Sequence, residues 1–438
     1  MVPTIATFKE RADQALFDER YREALLFYAA IVQLQPGNLD ARLRVGDSLL
    51  ALGEVQGAAT VYTALARNAA LSGYPLRALI ALRILSNLEP KLSVLLSEVA
   101  RLYAAGSQHI GRSTRRSLPS LDEPADETVF QRMPKEDSLL TQHAQVLATR
   151  YDQDCVFFPE RLLPIPLLSL LPEPDFAQML NVFSVVRVRP DTWILRQGEP
   201  GHSFYVLARG TIEVSTERDG EAVKLAQPSE GTIFGEMVLL SDAPRSASVR
   251  AVTDCDLLEF DCAQLEAATV QLTHLSEALA GFARERLLTN VTLTSPLFRP
   301  LDPRERVDLV RRFVNVNKRP REVVIREGDE GLGLFVVLRG EVAILRGEQE
   351  VARLGASELF GEISLLRRAP TTATVRALDS GVELLFLHRD YFERLIGAFP
   401  ELRAYFEGLS DARLTDLRSL RPETTTAPGE EIEVELLF

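Results

Sequence analysis

The hydrophobic positions of the first hundred residues follow the spacing of amphipathic helices. Ala and Leu dominate residues 5 to about 105, and few β-branched clusters interrupt the helical period. The pattern EALLFYAAIVQLQP returns thirty-four residues later as GAATVYTALARNA, and a third, compressed copy reads RALIALRILSNLEP. The copies share small, aromatic and proline positions: Ala24, Tyr28 and Pro36, then Ala58 and Tyr62, then Ala78 and Pro90. This period predicts a domain of repeated helices over residues 1–105.

The next segment, residues 106–137, breaks the helical pattern. It is polar, rich in Ser and Pro, and divides into a basic half and an acidic half. Such a composition is typical of a flexible linker. Helical spacing then returns from Leu139 to Tyr151.

From about Pro164 the pattern changes to a short helix, PDFAQMLNVFSVV, followed by short strands with glycines at their turns. The second half of the chain repeats this order. RQGEPG at Arg196 and REGDEG at Arg326 lie 130 residues apart, whereas Gly235 and Gly361 lie 126 residues apart. Alternating strands with glycine turns predict two jelly-roll β barrels. A helical stretch follows each barrel, at residues 262–288 and 391–408.

The predicted fold class is therefore a multidomain α + β protein. The helical repeats (1–105) and the linker (106–137) precede two barrel domains, 138–290 and 291–410, and an acidic C-terminal tail, 411–438. A chain of 438 residues has the length for several separate cores.

Composition narrows the classes of function. The net charge of −13 disfavours binding to phosphate backbones or anionic membranes. Three cysteines are too few for a disulfide framework. The N-terminus has no apolar signal segment, and prolines break the most apolar run, LLPIPLLSLLPEP, below the length of a membrane span. These features favour a cytoplasmic protein.

The two halves share an eighteen-residue segment that suggests a ligand. It reads FGEMVLLSDAPRSASVRA at 234–251 and FGEISLLRRAPTTATVRA at 360–377. With the strand order and the Gly-Glu/Asp-x-Gly turn, it resembles the phosphate-binding cassette of the cyclic-nucleotide-binding domain. The resemblance covers residues from about 161 to 408 in two copies, and the first copy keeps every signature position. It implies a cyclic mononucleotide ligand, cyclic AMP or cyclic GMP, and no other cofactor.

The residue types of the first cassette suit that ligand. Gly235 lacks a Cβ and lets the backbone approach a phosphate closely. The carboxylate of Glu236 can accept a hydrogen bond from a ribose hydroxyl, and the guanidinium of Arg245 can donate charge-assisted bonds to the cyclic phosphate. The alternative is a structural Glu–Arg ion pair inside the barrel. The resemblance implies a first site made of Phe234, Gly235, Glu236, Met237, Pro244, Arg245, Ser246, Ala247 and Ser248.

The second cassette differs at the decisive position, because Thr371 replaces the arginine while Gly361 and Glu362 remain. A hydroxyl offers only a neutral hydrogen bond to a phosphate, which is about half as strong. Arg367 and Arg368 belong to the far end of the cassette helix. We interpret the second copy as a structural domain or as a weak or altered site, and its members are Gly361, Glu362, Ile363, Thr371 and Thr372.

Other chemistries lack their signatures in the sequence. The five histidines show no metal-binding spacing, and no Walker loop, kinase signature or nucleophile elbow is present. Only twenty-eight residues follow position 410, too few for a helix-turn-helix domain. We therefore expect neither an enzyme, nor a metal protein, nor a DNA-binding protein.

The output of such a receptor would then be a protein partner. The thirty-four-residue period resembles a tetratricopeptide array, whose concave face binds partners; alternatively, these are plain antiparallel helices that pack on the rest of the chain. The overall layout resembles the regulatory subunit of cyclic-AMP-dependent protein kinase. The linker holds Arg115-Arg116-Ser117-Leu118, which lacks the spacer that such kinases prefer, and a solvated charge run explains it.

Two hypotheses on function follow from these patterns. In the first, the chain is a cyclic-nucleotide-responsive adaptor in which ligand at the first barrel shifts the following helix. In the second, it is a constitutive scaffold whose barrels do not respond to ligand. In the family that the cassette resembles, a hydroxyl residue directly after the cassette arginine can contact the amino group of guanine. Ser246 stands at this position, and a small serine permits cyclic GMP without excluding cyclic AMP, so we expect cyclic AMP with incomplete discrimination. In the family that the cassette resembles, a helix after the barrel often brings an apolar or aromatic cap over the base, and the resemblance implies Phe282 or a residue such as Phe298 as this cap.

Overall fold

A computed structural model describes most of the chain. The described residues are 3–88, 92–111, 115, 117–151, 158–218, 221–239, 244–270, 312–355 and 358–419, with single positions or runs of two or three between 272 and 309. They form two compact units, Met1–Ala283 and Arg284–Phe438. Among the helices of these residues, none combines the length and apolar character needed to cross a bilayer.

The N-terminal region of the first unit consists of helices in succession. They are α1 (Ile5–Phe17), α2 (Tyr21–Leu34), α3 (Leu39–Ala51), α4 (Val55–Leu71), α5 (Pro75–Leu88) and α6 (Ser93–Tyr103). The first two pairs begin thirty-four residues apart, at 5 and 39 and at 21 and 55. Gly46 permits close packing of α3 on α4, because a Cβ there would lie 2.7 Å from the Tyr62 ring. The repeated helices predicted from the period are thus present.

The first helix of each pair faces the first β domain. Lys9 of α1 pairs with Asp254 at 3.4 Å, Arg77 of α5 pairs with Glu230, and α5 also packs on strands of that domain. The helices and the first β domain therefore share one folded unit. On this face the helices pack on the rest of the chain, as in the alternative to a partner-binding array that the sequence left open.

A buried ion cluster lies in this interface. Asp256 is fully buried and accepts hydrogen bonds from Arg209 at 2.7 Å and from Arg44 of α3 at 3.3 Å. Asp47 of α3 accepts from Arg187 at 2.8 Å. Burial alone would raise the pKa of Asp256, but the guanidiniums of Arg44, Arg209 and Arg187 together hold it well below its ordinary value. The carboxylate therefore stays charged at neutral pH.

The other face of the helices is covered by the chain segment that follows them. A 3-10 helix at Glu127–Arg132 contacts α2, and α7 (Asp137–Thr149) packs on α2, α3 and α4. Arg42 of α3 is fully buried and donates to the carbonyls of Leu147 and Ala148 at the end of α7. Of the segment predicted to be a flexible linker, the part at Glu127–Arg132 is therefore packed against the helical region.

The first β domain contains α8 (Glu173–Gln178) and eight strands in two four-stranded sheets. The strands are β1 (Phe183–Val188), β2 (Trp193–Leu195), β3 (Ser203–Arg209), β4 (Ile212–Arg218), β5 (Glu221–Ala226), β6 (Ile233–Phe234), β7 (Ser248–Ala251) and β8 (Cys255–Asp261). The sheet orders are β1-β8-β3-β6 and β2-β7-β4-β5. Apolar side chains of both sheets share one core, including Leu207, Phe234, Val249 and Leu257. The helix α9 (Cys262–Thr269) follows directly.

Two sequence predictions need correction here. The predicted helix PDFAQMLNVFSVV ends near Asn181, and its last residues belong to β1, where Phe183 pairs with Phe260 of β8. The β-branched Val185 and Val186 fit a paired strand better than a helix. The two sheets also form an open jelly-roll sandwich rather than a closed barrel. With that change, the predicted multidomain α + β fold is confirmed.

The second β domain repeats the arrangement with two long strands, β11 and β14, whose pairing contains register shifts. Its elements are β9 (Val314–Lys318), β10 (Val323–Ile325), β11 (Gly333–Arg346), β12 (Gln349–Leu354), β13 (Leu359–Phe360), α10 (Glu362–Arg367), β14 (Thr374–His388), α11 (Arg389–Ala398) and α12 (Pro400–Ser419). The central strands β11 and β14 pair along their length. Phe406 of α12 packs edge-on against Phe392 of α11, with ring centroids 4.8 Å apart. The helix α12 continues past residue 410.

Candidate functional site

The first cassette begins where β6 ends. Phe234 pairs with Tyr205 of β3, and the two rings stack with centroids 5.4 Å apart. Gly235 follows with φ of 77°, a left-handed conformation that glycine adopts without strain. A 3-10 helix at Glu236–Leu239 then places Glu236 in the domain interior, where it is 8% exposed, and Met237 beside it. Residues 240–243 lie outside the described part of the chain.

The guanidinium of Arg245 reaches back over the start of this cassette. Its Nη1 donates to the carbonyl of Gly235 at 2.8 Å, and its Nη2 donates to the carbonyl of Ser203 at 2.6 Å. A Cβ at Gly201 would lie 2.2 Å from Arg245 Nε, so a glycine is needed at position 201 for this placement. Burial lowers the pKa of Arg245; an arginine nevertheless stays charged at physiological pH. The half-buried cation thus lies beside Gly235 and Glu236.

The backbone of Arg245 also fixes the Gly-Glu-Pro-Gly turn. Its N–H donates to the carbonyl of Glu199 at 2.9 Å, and its carbonyl accepts from Gly198 at 2.8 Å. Ser248, at the start of β7, accepts from the backbone N–H of Gln197 at 2.9 Å. Pro244 and Ser246 are exposed, and Ala247 is partly exposed. Arg245 and Ser248 therefore both contact the turn: Arg245 does so through its backbone, and Ser248 through its hydroxyl.

The second cassette has the same backbone contacts around Thr371. Its N–H donates to the carbonyl of Asp329 at 2.9 Å, and its carbonyl accepts from Gly328 at 2.9 Å. The side chain is different, because the hydroxyl donates to the carbonyls of Arg326 and Asp329. The geometry of the turn is kept in both halves of the chain while the cation is lost in the second.

The carboxylate of the second cassette is paired with an arginine from outside it. Glu362 is 1% exposed, and its Oε1 accepts from Arg413 Nη1 at 2.7 Å. The same Nη1 donates to the carbonyl of Leu359 at 2.7 Å. Burial raises the pKa of Glu362, and Arg413 opposes part of this rise. Sequence reasoning missed Arg413, because it lies on α12 within the segment assigned to the tail.

A cavity in the second β domain brings all of its predicted site residues together. Gly361, Glu362, Ile363, Thr371 and Thr372 line it. Apolar side chains form much of the remaining wall: Ile325, Ile344, Leu354, Phe360 and Val375. Arg413 is the one positively charged residue among the described residues of this lining. The cavity has a volume of about 150 Å³, with apolar walls and a few convergent polar groups, and it is smaller than the roughly 300–1,000 Å³ that is usual for small-molecule sites.

The two residues proposed as a cap for the base have different outcomes. Phe282 is buried in the core of the first unit, where its ring lies 6.4 Å from that of Phe204. Phe298 lies outside the described residues.

In the linker motif, Arg115 pairs with Glu230 at 3.3 Å, and Arg116 is outside the described residues.

Comparisons with known proteins match the two β domains. A family model described as "Cyclic nucleotide-binding domain" fits residues 185–271 and again residues 315–398. The chain is 29% identical over 246 residues to the cGMP-dependent protein kinase egl-4 of Caenorhabditis elegans, covering 54% of this chain and 30% of the kinase. It is 31% identical over 242 residues to a cAMP-dependent protein kinase regulatory subunit of Hypocrea atroviridis, covering 53% of this chain and 50% of that subunit. It thus spans half or less of the length of these relatives.

Among solved structures, the regulatory domain of Toxoplasma gondii PKA with cAMP shares 23% sequence identity with this chain. The comparison covers 56% of this chain and 92% of that one, with a TM-score of 0.26.

Proposed function

Because this chain contains two cyclic nucleotide-binding domains, we propose that it is a cyclic-mononucleotide receptor that binds its ligand in the first β domain and prefers cyclic AMP to cyclic GMP. The observation that carries this proposal is the position of Arg245. Its guanidinium lies over the start of the cassette and donates to the neutral backbone carbonyls of Gly235 and Ser203. A cyclic phosphate would replace these contacts with charge-assisted ones, which are roughly twice as strong.

The same arginine offers a route from ligand to helix. Arg245 donates to the carbonyl of Ser203, and the neighbouring carbonyl of His202 accepts from the N–H of Cys262 at 2.8 Å. Cys262 is the first residue of α9. A ligand that draws the guanidinium away from Ser203 therefore acts next to the start of this helix. In our proposal, movement of α9 is the first step of the signal.

The output passes to a protein partner in this proposal, and the chain is a binding protein rather than an enzyme. The helices resemble tetratricopeptide repeats, but α1 and α5 engage the first β domain. A partner would therefore bind another face of the helical region. One named relative is a kinase regulatory subunit, so regulation of a protein kinase is the second candidate function.

Isothermal titration calorimetry with a panel of cyclic mono- and dinucleotides tests the proposal. We expect one cyclic mononucleotide to bind per chain in the first β domain. Absence of binding by every member of the panel at millimolar concentration would favour the constitutive scaffold instead. Hydrogen exchange separates binding from signalling: the adaptor requires altered protection in 262–269 as well as in the cassette.

A further inference from the structure

A cavity lies within the first unit, between the helical region and the first β domain. Residues of α1, α2, the start of α3 and the segment 118–121 line it, together with Arg209 of β3. Its volume is about 230 Å³, which is many times the roughly 10–15 Å³ needed to hold one water and below the roughly 300–1,000 Å³ of drug-sized sites. The cavity therefore has room for a small organic molecule.

The floor of this cavity, formed by Arg44 and Arg209, carries positive charge. Both residues are buried, at 9% and 6% exposure. Arg44 donates to Asp47 at 3.0 Å and to Asp256 at 3.3 Å, and Arg209 Nε donates to Asp256 at 2.7 Å. Arg209 Nη2 is buried and has no hydrogen-bond partner in the part of the chain that the structure describes. A buried charged donor without an acceptor is costly, so an acceptor supplied by a ligand in the cavity would stabilise this end.

The rim of the cavity, formed by Asp13, Asp40 and Lys9, carries two carboxylates. The side chains of Asp13 and Asp40 are 24% and 27% exposed. Lys9 pairs with Asp13 and with Asp254 at 3.4 Å, and Asp40 accepts from Arg77 at 2.8 Å. A carboxylate has about four acceptor positions, so Asp13 and Asp40 can accept further hydrogen bonds. The rim can therefore bind an ammonium group.

The rest of the lining is largely apolar. Ile31 of α2 and Ala41 of α3 are 1% and 4% exposed, and Leu118, Pro119 and Leu121 line the cavity from the segment that follows the helices. Such a wall suits an aliphatic group and leaves the charged groups of the floor and the rim to orient the ligand.

The two charged parts of the cavity select a zwitterion. A simple anion would be attracted by the guanidiniums of the floor but repelled by the carboxylates of the rim. A simple amine would be attracted by the rim and repelled by the floor. A small molecule that carries both an ammonium and a carboxylate group is attracted at both places.

We propose that this cavity binds a free α-amino acid with an aliphatic side chain. Its carboxylate accepts from Arg209 Nη2, its ammonium group donates to Asp13 or Asp40, and its side chain packs on the apolar wall at Ile31. The inference goes beyond the proposed function, because none of the described residues that line the cavity belongs to either cassette. It gives the first unit a second ligand, which joins β3 to the helices.

Isothermal titration calorimetry of the full chain with L-leucine tests this inference. The comparison compounds are leucinamide, which lacks the carboxylate, isocaproate, which lacks the amino group, and glycine, which lacks the side chain. We expect L-leucine to bind one per chain and at least about tenfold more tightly than each of the three, because each loses one of the assigned contacts. No binding of L-leucine at millimolar concentration, or equal binding of any comparison compound, would overturn the inference.

Matched variants locate the site. Ala41→Leu fills the cavity from α3 without changing a charge and should weaken L-leucine binding by about tenfold or more. Its control is Ala51→Leu, at an exposed position of the same helix, and equal affinities of the two chains would contradict the location. Asp40→Asn should narrow the difference between L-leucine and isocaproate, and an unchanged difference would contradict the role of the rim. The comparison compounds test the wild-type chain, so the inference stays open to refutation if a variant does not fold.

Failure of this inference can be told from failure of the proposed function. Cyclic AMP is titrated into the same wild-type and Ala41→Leu chains. Cyclic AMP binding without L-leucine binding would reject only the amino-acid site, and L-leucine binding without cyclic AMP binding would reject only the receptor proposal.

Discussion

Replacement of Asp256 by asparagine tests whether the helices and the first β domain depend on each other. The carboxylate is fully buried and accepts from Arg209 and Arg44 at 2.7 and 3.3 Å. Asp256→Asn keeps the shape of the side chain but removes the carboxylate that pairs with Arg209, and it leaves Arg44 with Asp47 as its remaining paired carboxylate, at 3.0 Å. Breaking a buried ion pair by removing one partner costs about 3–5 kcal/mol. For a unit of this size, that corresponds to a fall in melting temperature of about 10 °C.

Chemical denaturation and thermal melting of the full chain measure this loss. The matched control is Glu98→Gln, which removes an exposed pair with Arg67 and should cost less than about 1 kcal/mol. An Asp256→Asn chain as stable as this control would refute the role of the ion cluster.

The pH dependence of this difference follows from the same cluster. The folded-state pKa of Asp256 is depressed, so its stabilising contribution is complete above the unfolded value of about 3.9 and is lost as the pH falls below it. The gap between wild type and Asp256→Asn should therefore narrow below about pH 4.

The remaining predictions concern the first cassette. Gly201→Ala should weaken cyclic AMP binding by about tenfold or more, because the new Cβ would lie 2.2 Å from Arg245 Nε and would displace the guanidinium. The control is Gly397→Ala, whose new Cβ meets open space. If the Gly201→Ala chain binds cyclic AMP as tightly as this control in calorimetry, the placement of Arg245 is contradicted. For the base, we expect cyclic AMP to bind more tightly than cyclic GMP with incomplete discrimination, since the small Ser246 permits cyclic GMP without excluding cyclic AMP. A hundredfold preference for cyclic GMP in competition binding would show this to be wrong.

Sequence reasoning reached the parts of the fold that depend on local pattern. The thirty-four-residue period predicted the N-terminal helices, and the repeated cassette predicted two similar β domains. The same reasoning placed FSVV of β1 in a helix, because a short apolar run fits either period and only pairing with β8 decides. Hydrophobic spacing therefore assigns secondary structure least reliably at short strands.

The contacts that the sequence could not give all depend on distant partners. Arg44 and Asp47 look like a solvated charge pair on α3, but β1, β3 and β8 bury them. Arg413 lies forty-two positions after Thr371 and meets the cassette only because α12 folds back onto it.

In our proposal Arg245 makes the first cassette a cyclic-nucleotide site, and calorimetry on Arg245→Ala beside Thr371→Ala measures its contribution to binding. We predict that Arg245→Ala weakens cyclic AMP binding by ~2–4 kcal/mol, roughly thirty- to a thousandfold, while Thr371→Ala leaves it unchanged. An Arg245→Ala chain that binds cyclic AMP as tightly as wild type would contradict the account.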